Sequence, residues 1–121
     1  MKKLVLLFIY IFFSIVTAQS NISNETSVDE LIKSYSKYLR KDASKALVYV
    51  LEAKDLAAAQ RNDEKLSEVH YCIAKCYNRL GENKNALANL DIAISKGLVF
   101  NDVIFLYKCF FLKGTYFSEL G

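Results

Sequence analysis

The stretch SEVHYCIAKCYNRLGENKNALANLDIAISKG, residues 67–97, decides the fold. Val69, Ile73, Tyr77 and Leu80, with Leu66 just before them, recur at the spacing that lines one side of a helix. After Gly81 the pattern restarts with Ala86, Leu87, Leu90, Ala93 and Ile94. Glycine takes the left-handed conformation without a Cβ clash, so Gly81 ends the first helix and the chain turns back. Two amphipathic helices joined in this way cannot bury their own apolar face and must stack on neighbouring hairpins. Such a surface suits binding rather than catalysis.

Working outward, the same periodicity continues in both directions, and no proline interrupts it. Val28, Leu31, Ile32, Tyr35, Tyr38 and Leu39 form one stripe; Ala46, Val50, Ala53 and Ala57 form another, with Leu47 and Leu56 beside it. Residues 40–44 and 60–64 are short polar connectors of the length that joins antiparallel helices. The fourth helix is predicted to stop near Gly97, and a fifth runs from about Asp102 towards Leu120. The turns at Lys41, Gly81 and Gly121 lie 40 residues apart. The same offset relates Ser34, Ala74 and Gly114, and also Ala46 with Ala86, Val50 with Leu90, and Ala53 with Ala93. Small residues at such positions allow two helix backbones to approach closely.

His70, Ile73, Ala74, Tyr77, Ala86 and Leu90 fall on the spacing W-x2-L-G-x2-Y…A-x3-F. By residue type and spacing, residues 28–121 therefore resemble the tetratricopeptide repeat (TPR) family. The resemblance implies an all-α, right-handed solenoid of antiparallel, TPR-like helix hairpins, about two and a half repeats long and preceded by a signal-peptide helix. Its expected organisation is a signal peptide at 1–18, a flexible linker at 19–27, a degenerate repeat at 28–62, a second repeat at 64–100, and the first helix of an incomplete third at 102–121. Three features depart from the family pattern. Lys41 stands where glycine is usual, Leu98 where proline is usual, and the 40-residue offset exceeds the common period of about 34.

In the family, the first helices of successive repeats line a concave groove that receives a peptide or a partner's helix. The resemblance thus assigns Glu68, Tyr71, Lys75, Asn78 and Arg79 to a partner-binding groove. Lys75 and Arg79 suit carboxylates, Arg79 in a bidentate fork, and Asn78 suits a peptide backbone. Adjacent repeats lack a matching basic set for a carboxylate clamp.

The N-terminus has the composition of an export signal. Met1-Lys2-Lys3 is a positive n-region, Leu4 to Ala18 is a 15-residue apolar run, and Val16-Thr17-Ala18 places small residues for cleavage before Gln19. The run is short for a bilayer span, which wants about 20 apolar residues; contact with a membrane is expected only if the signal stays uncleaved. A periplasmic or extracellular location follows. Removing Lys2 and Lys3 from the 16 basic residues leaves 14 against 13 acidic ones, so no electrostatic case for nucleic acid survives. Residues 19–27 are polar, with sequons at Asn21 and Asn24.

Cys72, Cys76 and Cys109 are an odd number, and Cys72 and Cys76 sit one helical turn apart, where a disulfide is strained. Buried free thiols are the expected state. His70 is the only histidine, and no metal-ligand cluster, nucleophile motif or phosphate loop is present, so no cofactor and no catalysis are expected. Asp29-Glu30 and Asp63-Glu64 read as acidic helix starts that complement the helix dipole. The last helix is apolar around much of its circumference, from Val103 to Phe117, and its own partner helix is absent from the sequence. It is expected to associate with another chain or a further segment. The leading functional reading is an exported, non-enzymatic module that binds a protein or peptide partner; the alternative is a periplasmic sensory segment of a membrane-bound regulator.

Overall fold

A computed structural model describes the backbone of residues 2–121 and the side chains of residues 2–11 and 27–121. Five helices follow one another: α1 (Lys2–Tyr38), α2 (Ala43–Ala59), α3 (Asp63–Arg79), α4 (Asn83–Phe100) and α5 (Val103–Glu119). Among the described residues there is no strand, and the chain is all-α, as the periodicity predicts.

The helix starts are set by caps spaced 20 residues apart. Side-chain oxygens of Asp42, Asn62 and Asp102 each accept a backbone N–H at 3.1 Å, from Lys45, Lys65 and Phe105. Each cap satisfies an otherwise orphaned donor and contributes about 1 kcal/mol. Glu82 occupies the equivalent place without a capping bond and takes the Asn85 amide instead, at 2.7 Å. The helix ends are equally regular: Arg61 (φ 53°), Gly81 (φ 77°) and Asn101 (φ 52°) turn the chain in the left-handed region. Gly81 does so at no steric cost, whereas Arg61 carries a Cβ that this conformation crowds.

Each helix packs on the next in sequence, and α1 also touches α3. The seams are rows of small residues. Ala46, Val50, Ala53 and Ala57 of α2 are fully buried, as are Ala86, Leu90 and Ala93 of α4. Tyr35 of α1 joins Val50, Val69, Ile73 and Cys76 in the first core cluster. Ala74, Ala86, Leu90 and Tyr116 form a second across α3, α4 and α5, and Ala93, Ile94 and Cys109 form a third between α4 and α5. Between α3 and α4 the buried Ser67 hydroxyl donates to the Ala93 carbonyl at 2.9 Å.

Three expectations need correction. Gly97 does not stop α4, which continues to Phe100 and ends at Asn101. Gly97 is instead a point of close approach, where an added Cβ would lie 3.0 Å from the Phe105 ring of α5. Gly114 is the reverse case: it lies open, with nothing within 4 Å of a Cβ placed there. Asp29 lies inside α1 rather than at a helix start, and its carboxylate pairs with Lys65 Nζ of α3 at 2.7 Å. The α1 helix runs from Lys2 to Tyr38. The side chains of residues 12–26, and with them the expected linker, the sequons at Asn21 and Asn24 and the expected cleavage point near Ala18, lie outside the described residues.

Apolar side chains are left exposed at both ends. Leu4 to Ile11 are all exposed, as are Val99, Val103, Ile104 and Phe111. Among the described residues no helix is long and apolar enough to cross a membrane.

Because the Phe105 ring fills the space above Gly97, Gly97→Leu should overpack the α4–α5 seam. Equilibrium urea unfolding is expected to show a loss of about 1–3 kcal/mol, the range for added core volume.

Candidate functional site

The α1, α3 and α5 helices share one side of the molecule and enclose a cleft of about 500 Å³. Its centre is α3, a helix whose opposite side is occupied by the small-residue rows of α2 and α4 and which can therefore present only this side outward. From α3 come Glu64, Glu68, Tyr71, Cys72 and Lys75; Ile32 and Tyr35 of α1 form one wall. The other wall is Phe100 at the end of α4 together with Asp102, Ile104, Phe105 and Lys108 around the start of α5.

An aromatic floor runs through it. The Tyr71 and Phe105 rings meet at 5.8 Å, tilted by 59°, a favoured edge-to-face geometry. Lys75 Nζ lies 5.6 Å from the Tyr71 ring centroid, within range of a cation–π contact. Charges surround the floor: Glu64, Glu68 and Asp102 supply carboxylates, and Lys75 and Lys108 supply ammonium groups. Glu68 is partly engaged by Lys65 at 3.6 Å. Lys65 is held above its ordinary pKa chiefly by its hydrogen bond with Asp29. Burial raises the Tyr71 phenol, which stays protonated and can donate.

The structure brings Glu68, Tyr71 and Lys75 together in this cleft. Asn78 and Arg79 are elsewhere. Asn78 donates to Glu119 Oε2 at 2.7 Å and to Asn83 Oδ1 at 3.3 Å, joining α3 to α5 and α4. Arg79 is exposed at the α3 C-terminus and does not line the cleft. Periodicity within a single hairpin missed Tyr35, Phe105 and Lys108, because they reach the cleft from neighbouring elements. A usable signal was present: the 40-residue offset that relates the helices carries Glu64 to Ile104 and Glu68 to Lys108, all four of them cleft residues.

The cleft holds one thiol, that of Cys72, and it is poorly activated. Burial pushes the Cys72 thiol up to about 12. A thiol attacks as the thiolate, so Cys72 is inert near neutral pH. Burial likewise raises Cys76 and Cys109 to about 11, and all three cysteines are free. His70 faces away from the cleft; its Nδ1 meets Asn89 Oδ1 at 2.9 Å, and burial lowers its pKa. Among the described residues no group of three His, Cys, Asp or Glu could hold a metal ion. This arrangement can grip an apolar side chain between rings while pairing charges on either side.

Comparison with protein-family models, curated proteins and solved structures finds no match for the chain.

The buried thiols tie stability to alkaline pH. Unfolded thiols ionise from their ordinary value of 9.0, whereas Cys76 and Cys109 in the folded chain hold their protons to about 11. Between those values the folded state binds more protons, so stability is complete below pH 9 and is lost progressively as the pH rises to about 11. Urea titrations over that interval should show the decline, and Cys76→Ala should make it shallower.

Proposed function

We propose that this chain is an exported, non-enzymatic, TPR-like module that binds a protein or peptide segment in the cleft between α1, α3 and α5. The observation that carries this reading is the convergence of Glu68, Tyr71 and Lys75 with Phe105 and Lys108 in one aromatic-floored, charge-rimmed cleft. A cleft formed by alternate helices of consecutive hairpins is the place where a right-handed helical solenoid receives an extended chain. The caps at Asp42, Asn62 and Asp102, with Glu82 at the equivalent helix start, support the repeat reading. So does the agreement between the ends of α3 and α5 at a 40-residue offset.

Export is supported by Lys2 and Lys3 ahead of the apolar run of Leu4 to Ala18. The module would then act in the periplasm or outside the cell.

A peptide-display library selected on the 121-residue chain tests the binding reading. Selected peptides are expected to lose affinity about tenfold or more on Lys75→Glu or Lys108→Glu and to keep it on Lys41→Glu, a remote exposed change. Peptides indifferent to both cleft variants would refute it. Export is tested separately: in a secreting host, N-terminal sequencing of the released protein is expected to begin at Gln19.

A further inference from the structure

The cleft between α1, α3 and α5 carries its charges in an order. Glu64 stands at the start of α3 and Lys75 in the C-terminal half of that helix, while Asp102 caps α5 and Lys108 follows within it. Short connectors reverse the chain after α3 and again after α4, so α3 and α5 run in the same direction. Their two charge sequences therefore agree, with carboxylates at one end of the cleft and ammonium groups towards the other. The apolar contact lies between them. Tyr71 falls between Glu64 and Lys75, Phe105 falls between Asp102 and Lys108, and the two rings meet at 5.8 Å.

These four charges are also unmatched. Among the described residues the ion pairs are Lys65 with Asp29 and Glu68, Lys96 with Asp63, and Lys113 with Asp91; none uses Glu64, Lys75, Asp102 or Lys108. Glu64, Asp102 and Lys108 are exposed, and Lys75 is half-buried against the Tyr71 ring. Asp102 gives one carboxylate oxygen to the Phe105 N–H and keeps the other. A ligand of opposite charge at each end finds complementary groups at both, whereas one charged alike at its two ends is repelled at one of them.

Helix geometry converts the order into a spacing. At about 1.5 Å of rise per residue, Glu64 and Lys75 are about 16 Å apart along α3, and Asp102 and Lys108 about 9 Å apart along α5. An extended chain covers about 3.3 Å per residue, so opposite charges roughly three to five residues apart reach both ends. Resting on the groove reading above, we propose that the cleft takes an extended segment of a partner protein in which a Lys or Arg and an Asp or Glu, at that spacing, flank a bulky apolar side chain. The apolar side chain lies on the Tyr71–Phe105 pair, the cation at Glu64 and Asp102, and the carboxylate at Lys75 and Lys108. A second copy of this chain offers no such segment. Residues 4–32 contain no Lys or Arg, and from Lys33 to Glu119 the chain is helical apart from short connectors.

The probes are fluorescein-labelled nonapeptides of Gly and Ser with a central Phe and a charged residue two positions to either side: Lys and Glu in both orders, Lys and Lys, or Glu and Glu. They are titrated with the 121-residue chain and read by fluorescence anisotropy. The better mixed-charge peptide is expected to bind about tenfold or more tightly than either like-charged one. The double variant Lys75→Glu/Lys108→Glu should reverse the ranking in favour of the Lys–Lys peptide while leaving the circular-dichroism melt in place. Damage to the fold cannot produce such a gain. Saturable binding that ignores peptide charge, a ranking that the double variant leaves unaltered, or no saturable binding by any of the four overturns this inference. The display selection judges groove binding separately, because it presumes no charge pattern: cleft-dependent peptides of another composition would uphold that reading and reject this one.

Discussion

Close approach between helix backbones is the constraint on which this structure rests. Ala46, Val50, Ala53 and Ala57 on α2, and Ala86, Leu90, Ala93 and Gly97 on α4, give these helices one face with almost no relief. Large side chains from neighbouring helices can then lie across that face: Tyr35, Val69 and Ile73 on the first row, Phe105 and Leu106 on the second. Dispersion contacts and removal of apolar area from water both scale with this intimacy. Widening either seam by one side chain would separate residues that are now fully buried.

The cleft follows from the same constraint. With α2 and α4 flush against its back, α3 has a single side left to face outward, and α1 and α5 flank that side at distances fixed by the seams. Ion pairs reinforce the placement without determining it. Lys65 with Asp29, Lys96 with Asp63 and Lys113 with Asp91 each join different helices at 2.6–3.2 Å. Their carboxylates are more than half exposed, which limits such a pair to a few tenths of a kcal/mol up to about 1.

The helices were legible in the sequence because apolar spacing, short polar connectors and the turn glycine Gly81 are local signals that agree. Val50, Ile73, Leu90 and Ala93 are buried where periodicity places them. What periodicity could not supply was the relation between hairpins. Gly97 reads as a terminator when only its own helix is considered, and becomes a contact point once Phe105 of the next helix is present. Asn78 and Arg79 share the polar side of α3 with Lys75, but lie a turn nearer its end. There Glu119 captures one of them and solvent the other. Residues of the site supplied by α1 and α5 were hidden for the same reason: their nearness to Tyr71 is a property of stacking, and no short window of sequence contains it.

The succession of contacts, in which each helix meets chiefly the one that follows it, also governs how the chain reaches this state. Docking α3 on α2, or α4 on α3, closes a connector of only a few residues, and the entropy lost in closing a loop grows with its length. The chief helix pairings join elements that are adjacent in the chain. Topologies of this low contact order assemble on the microsecond-to-millisecond scale. The molecule can therefore form by zippering outward from any single hairpin.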